Sequence, residues 1–123
     1  MIKTRNRRWA RVLGATGAAG ALLVATAAAA DASWFSAYVG ASGVNVRDCY
    51  HPSVHLPPST SCTYQTNLGS GTPVHIVCQR SGQNISGDPV WDYITYSGGE
   101  GFAADYYINT GYASWIPGID ICT

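Results

Sequence analysis

Lysine disappears from this chain after residue 3, and beyond Arg11 the only basic side chains are Arg47 and Arg80. A surface so poor in cations repels phosphate backbones, which excludes nucleic acid and anionic polymers as partners. No C-x-x-C spacing occurs, so a zinc held by thiolates with His51, His55 or His75 is not expected, and no metal or cofactor is implied. No nucleophile-elbow sequence is present, which removes the usual setting for a Ser-His-Asp hydrolase. There is no internal repeat and no long helical pattern after Ala32.

The basic residues that do occur are concentrated at the start. Lys3, Arg5, Arg7, Arg8 and Arg11 precede an apolar, small-residue run from Val12 to Ala30, which ends in Ala28-Ala29-Ala30-Asp31-Ala32. This is the pattern of a secretory signal peptide over residues 1–32, cut before Ser33, with cleavage after Ala30 as the alternative. Ala and Gly insert weakly and no basic stop follows, so a stable membrane anchor is not expected. Arg7-Arg8 invites twin-arginine export, but Trp9-Ala10-Arg11 fits that signal poorly, and general secretion is the expectation. Localisation is therefore predicted to be extracellular.

Ser33 to Thr123 makes one domain of 91 residues. Two arginines face six acids (Asp48, Asp88, Asp92, Glu100, Asp105 and Asp120), a net charge of −4 with histidine neutral. A core this small usually needs staples. Cys49, Cys62, Cys78 and Cys122 can supply two disulfides in a secreted chain. Three pairings are possible. Cys49 and Cys62 flank one Pro/Ser/Thr-rich loop, which favours joining them and leaves Cys78 for Cys122.

The stretch Thr72–Ile94 organises the rest. Val74, Ile76 and Cys78 alternate with His75, Val77 and Gln79, marking a strand with one buried face and Cys78 on it. RSGQNISGDP is read as a polar turn, and Val90-Trp91-Asp92-Tyr93-Ile94 as the returning strand. Before this hairpin, residues 33–43 form an aromatic lead-in and Val44–Arg47 a half-buried strand. Asp48–Gly71, with Pro52, Pro57 and Pro58, reads as one long loop. After it come a Gly-rich turn over Thr95–Gly101, a brief strand over Phe102–Asp105, one helical turn at Tyr106–Ile108, and a tail over 109–123. Short strands with frequent turns indicate an all-β sandwich or barrel.

The succession VNVRDC, long loop, LGSGTPVHIVCQ, VWDYI and GFAADYYI, over residues 44–108, resembles a bacterial Src-homology-3 domain. The cysteines and the tail through Pro117-Gly118 resemble small secreted members of that family. The resemblance implies an SH3-like barrel of about five strands and cell-wall peptide binding. Phe102 departs from the family's usual Trp. Asp92 alternates with Val90 and Ile94 towards the inside, where a lone carboxylate is costly, so a bulge, an edge position or a hydrogen-bonded partner is expected there.

Catalytic sets are weighed and set aside. His75 or His55 with a cysteine fails because disulfide sulfur is no nucleophile, and Asp92 with Asp105 is a pair expected by chance among six acids. The Asn84-Ile85-Ser86 sequon is disregarded in a chain of bacterial type. What remains is a surface rich in rings, suited to peptide or sugar recognition. The predicted groove is lined by Tyr50, Trp91, Tyr93 and Tyr107, with Trp91 divided between groove and core, and Asp48, Asp88 and Asp105 facing a ligand amine. The expected function is a non-enzymatic module that binds peptidoglycan peptides or a secreted protein. The alternative is a disulfide-stapled effector or protease inhibitor inserting the loop Asp48–Gly71.

Overall fold

The fold is described from a computed structural model over residues 34–55 and 57–123; the signal peptide expected at 1–32 lies outside these residues. The chain is all-β, with strands β1 (Phe35–Val39), β2 (Val44–Asp48), β3 (Thr63–Leu68), β4 (Pro73–Ile85), β5 (Asp88–Tyr96), β6 (Gly99–Ala104), β7 (Ile108–Asn109) and β8 (Asp120–Ile121). A single 3-10 turn, Asp105–Tyr107, separates β6 from β7. The strands form one open sheet in the order β3-β2-β6-β5-β4-β1-β7, antiparallel throughout, with β8 added parallel to β4.

The central hairpin is longer than its sequence implies. Arg80–Asn84 continue β4 instead of turning, and the reversal is confined to Ser86-Gly87, where φ is 53° and 94°. Two successive positive φ values give the twist that a tight two-residue hairpin requires. Within β4, Ile76 lies opposite Ile94 but Cys78 lies opposite Tyr93, so Val77 is an extra residue and the strand bulges. A bulge exchanges the faces of everything beyond it. Gln79 is buried in the place alternation would give to Cys78, and Cys78 turns to the other side of the sheet.

Alternation along β5 therefore serves two interiors. Ile94 points into a main core with Val46, Val74, Ile76, Ala103, Ile108 and Ile116. Trp91 points the opposite way, into a smaller core with Cys49, Cys62, Phe102, Ala104 and Cys122. Burying each large aliphatic side chain contributes roughly 1.5–3 kcal/mol. The second core exists because loop and tail are folded onto the outer face and stapled there. Cys49 is bonded to Cys62 and Cys78 to Cys122, with Cα separations of 4.8 and 5.0 Å.

Further regions differ from their sequence expectation. The aromatic lead-in is strand β1, paired with both β4 and β7. The second half of the long loop is β3, an edge strand without a buried row, so no alternation marks it. The tail is held by more than its disulfide: Ile116 sits in the main core, and Arg80 Nη1 donates to the Cys122 carbonyl at 2.7 Å. Among the described residues, eight strands thus stand where about five were expected. Among the described residues no helix is long and apolar enough to cross a membrane.

Candidate functional site

Asp48 ends β2 and fixes the start of the disulfide loop. Its Oδ1 accepts the amides of Tyr50 at 2.7 Å and His51 at 3.1 Å, and its Oδ2 meets His51 Nδ1 at 3.0 Å. Burial opposes ionisation here, but the Tyr50 amide and the His51 contacts outweigh it and hold the carboxyl below its ordinary value. This Asx-type turn swings Tyr50 back over the sheet. Its ring lies 5.9 Å from Tyr93, edge-on, and 5.6 Å from Phe102, while Tyr93 and Phe102 are 5.0 Å apart.

Beside these rings is a concavity of about 140 Å³ lined by Asp48, Tyr50, His51, Gln65, Tyr93, Glu100 and Gly101. The absence of a side chain at Gly101 matters, because a Cβ would strike the Gln65 side chain and stand 2.9 Å from the Arg47 carbonyl oxygen. The Tyr93 hydroxyl is pushed up to about 12, first by burial and then by the charge of nearby Glu100. The site is therefore a phenol-lined hollow between two carboxylates. Two larger but shallow concavities of about 350 Å³ lie elsewhere. One is beside His75 and Tyr96, the other beside Arg80 and Trp115, and neither gathers more than one ionisable side chain apart from tyrosine.

The four predicted groove residues do not meet. Tyr50 and Tyr93 share this concavity. Trp91 is only 2% exposed, fills the smaller core, and donates from Nε1 to the Gln83 carbonyl at 2.9 Å. Tyr107 follows the 3-10 turn's Tyr106, lies against both cores, and lines a separate hollow with Val44 and Asn67. Sequence reasoning missed Gln65 and Glu100. Gln65 lies in the strand read as loop, and Glu100 in a stretch read as a Gly-rich turn.

Asp88 and Asp105 do not face a ligand; both are interior, beside Asp92, which is 0% exposed. Asp92 has the hydrogen-bonded partner its position demands, Gln79 Nε2 at 2.8 Å. Burial raises the Asp92 carboxyl, with Gln79 and Asp105 opposing. Burial and hydrogen bonds to Asp92 and Asp88 raise Asp105 further, far above the carboxylate range. Asp92 and Asp105 are thus both interior carboxyls with raised values, and neither lines the concavity beside Tyr50 and Tyr93. All four cysteines are in disulfides.

No protein-family model matches the chain, and no curated protein matches it.

Proposed function

We propose that this chain is a secreted, non-enzymatic binding module of the bacterial Src-homology-3 type, and that the hollow between Tyr50, Tyr93, Asp48 and Glu100 takes a cell-wall peptide through a free amine. The observation that carries the reading is the meeting of two tyrosines from the predicted groove, 5.9 Å apart, in a concavity that also holds two carboxylates and neither arginine. Aromatic faces and carboxylates together suit an ammonium group, by cation–π attraction and charge-assisted hydrogen bonds. The barrel assignment is supported by the order of β2, β4, β5 and β6 and by the pairing of Arg47 with Phe102, which joins the first and last of these strands.

A second reading keeps the chain non-catalytic and makes the disulfide loop an inserting element against a secreted protease. It is favoured by the exposure of His51–His55 at the rim of the Cys49–Cys62 bridge. Titration of isolated wall peptides by calorimetry separates the two. Tyr50→Ala removes an aromatic anchor, an expected cost of about 2 kcal/mol or roughly thirtyfold in affinity. Asp120→Asn, which does not line the hollow, should leave binding unchanged. Wild-type affinity in a folded Tyr50→Ala protein would displace the site, and no wall binding by the wild type would favour the inhibitor.

A further inference from the structure

We propose that the interior carboxyls of Asp88, Asp92 and Asp105 form a proton-loaded latch, which holds the segment around Ser114–Ile116 on the sheet while loaded and lets it go as pH rises. Asp88 and Asp92 both project from the inner face of β5, and Asp105 opens the 3-10 turn beside them. Asp88 Oδ1 accepts the Val90 amide at 2.9 Å and the Ser114 hydroxyl at 3.2 Å. Asp92 Oδ1 accepts Gln79 Nε2, whose amide group also reaches the Ser114 carbonyl at 3.3 Å. Gln79 Oε1 in turn accepts the Ile116 amide at 2.9 Å. The segment is thus hydrogen-bonded to the carboxyl cluster directly through Ser114 and at one remove through Gln79.

Two oxygens of the cluster, Asp92 Oδ2 and Asp105 Oδ1, receive no donor from the rest of the described protein. Burial, with the neighbouring Asp92 and Asp88 carboxyls, favours the protonated form of Asp105. Carboxylate oxygens buried without a donor are costly as ions, so the cluster favours keeping a proton of its own. The groups that face it are few. β5 gives Asp88 and Asp92, the 3-10 turn Asp105, β4 the uncharged Gln79, β6 Ala103 opposite Asp92, and the tail Ser114 and Ile116. The two arginines of the described domain are turned to carbonyls elsewhere, Arg47 to Cys62 and Arg80 to Cys122. No cation is at hand to replace a departing proton.

Loss of that proton leaves mutually repelling charges out of water, and hydration is the available relief. The element that can open is the tail, whose strand pairing is the two residues of β8. The Cys78–Cys122 bond limits the motion to an outward bow between Thr110 and Cys122. The sign follows from the raised carboxyls: the latch is closed in acid and loosens as pH climbs through their elevated values.

The test is a carbon-13 carboxyl titration of the purified chain, with amide exchange at Ile116 read against Ile94. The latch predicts one aspartate still protonated at neutral pH. It also predicts Ile116 protection falling at least about tenfold relative to Ile94 as pH climbs from neutral through the raised Asp105 value, about 10. Asp105→Asn supplies a permanent donor and should flatten that dependence. The proposal is overturned if every aspartate ionises below about pH 5, if Ile116 follows Ile94 at all pH values, or if a folded Asp105→Asn protein keeps the wild-type response. Should that variant not fold, the wild-type titration decides alone.

Discussion

Gly82 lies so close to the carbonyl of Pro58 that a Cβ would run into that oxygen and stand 3.0 Å from Trp91 Cδ1. The next amide, Gln83, donates to the same oxygen at 2.9 Å. The proline loop is thus docked on β4 backbone to backbone. Gly82→Ala should lift it, at an overpacking cost of about 1–3 kcal/mol. Gly69→Ala, where nothing lies within 4 Å, should cost much less. Urea midpoints of the two variants check this.

Trp91 supports the fold rather than touching a ligand. Trp91→Ala should lose about 3–5 kcal/mol of stability. Trp91→Phe keeps most of the packing but orphans the Gln83 carbonyl, at about 1–3 kcal/mol. Chemical denaturation measures both. Equal stability of the Phe variant and the wild type would show that the indole hydrogen bond contributes nothing.

Replacing Cys78 and Cys122 by serine opens a bridge spanning 44 residues, with an expected cost of about 2–5 kcal/mol. Exchange protection should vanish at Cys122, whose amide donates to Gln79 in β4, and persist at Ile116, which is tied to the Gln79 side chain and buried in the main core. Loss of protection from Asn109 onward would show that the disulfide is the tail's main anchor.

Asp48 has the opposite pH sign to the interior carboxyls. Its depressed value means that the turn it caps is fully stabilised above the unfolded aspartate value, about 3.9, and weakens as pH falls through the lower folded value. The Tyr50 and His51 amide resonances should shift together in that acidic window. Asp48→Asn, which keeps an acceptor oxygen, should abolish the shift while retaining the turn. Amide shifts that ignore acid down to about pH 2 would remove Asp48 as the cap.

Which parts of this fold were legible follows from where side chains report on their surroundings. Val44, Val46, Val74 and Ile76 alternate because one face is buried, and Cys49 pairs with Cys62 because they flank one loop, which left Cys78 for Cys122. β3 was invisible because Thr63–Leu68 is an edge strand with no buried row. The Val77 bulge was invisible because it conserves residue types while exchanging faces. It brought Gln79 to Asp92, turning an apparent liability at Asp92 into a partnered network. At the site, Tyr50 and Tyr93 meet because the loop leaving β2 lies beside the central hairpin, the ground on which the sequence reading put them together. Trp91 was ambiguous because one face of β5 is covered by loop and tail, and that covering depends on contacts distant in sequence, such as Pro58 with Gly82.

The smaller core has a composition that ties folding to compartment. Three of its six buried members are half-cystines, and the other three pack around them. With thiols reduced, one face of the sheet would lose both covalent ties to the loop and tail that cover it, while the aliphatic face would keep its own packing. Completion of this face is therefore tied to an oxidising environment, whereas the aliphatic face carries no such requirement.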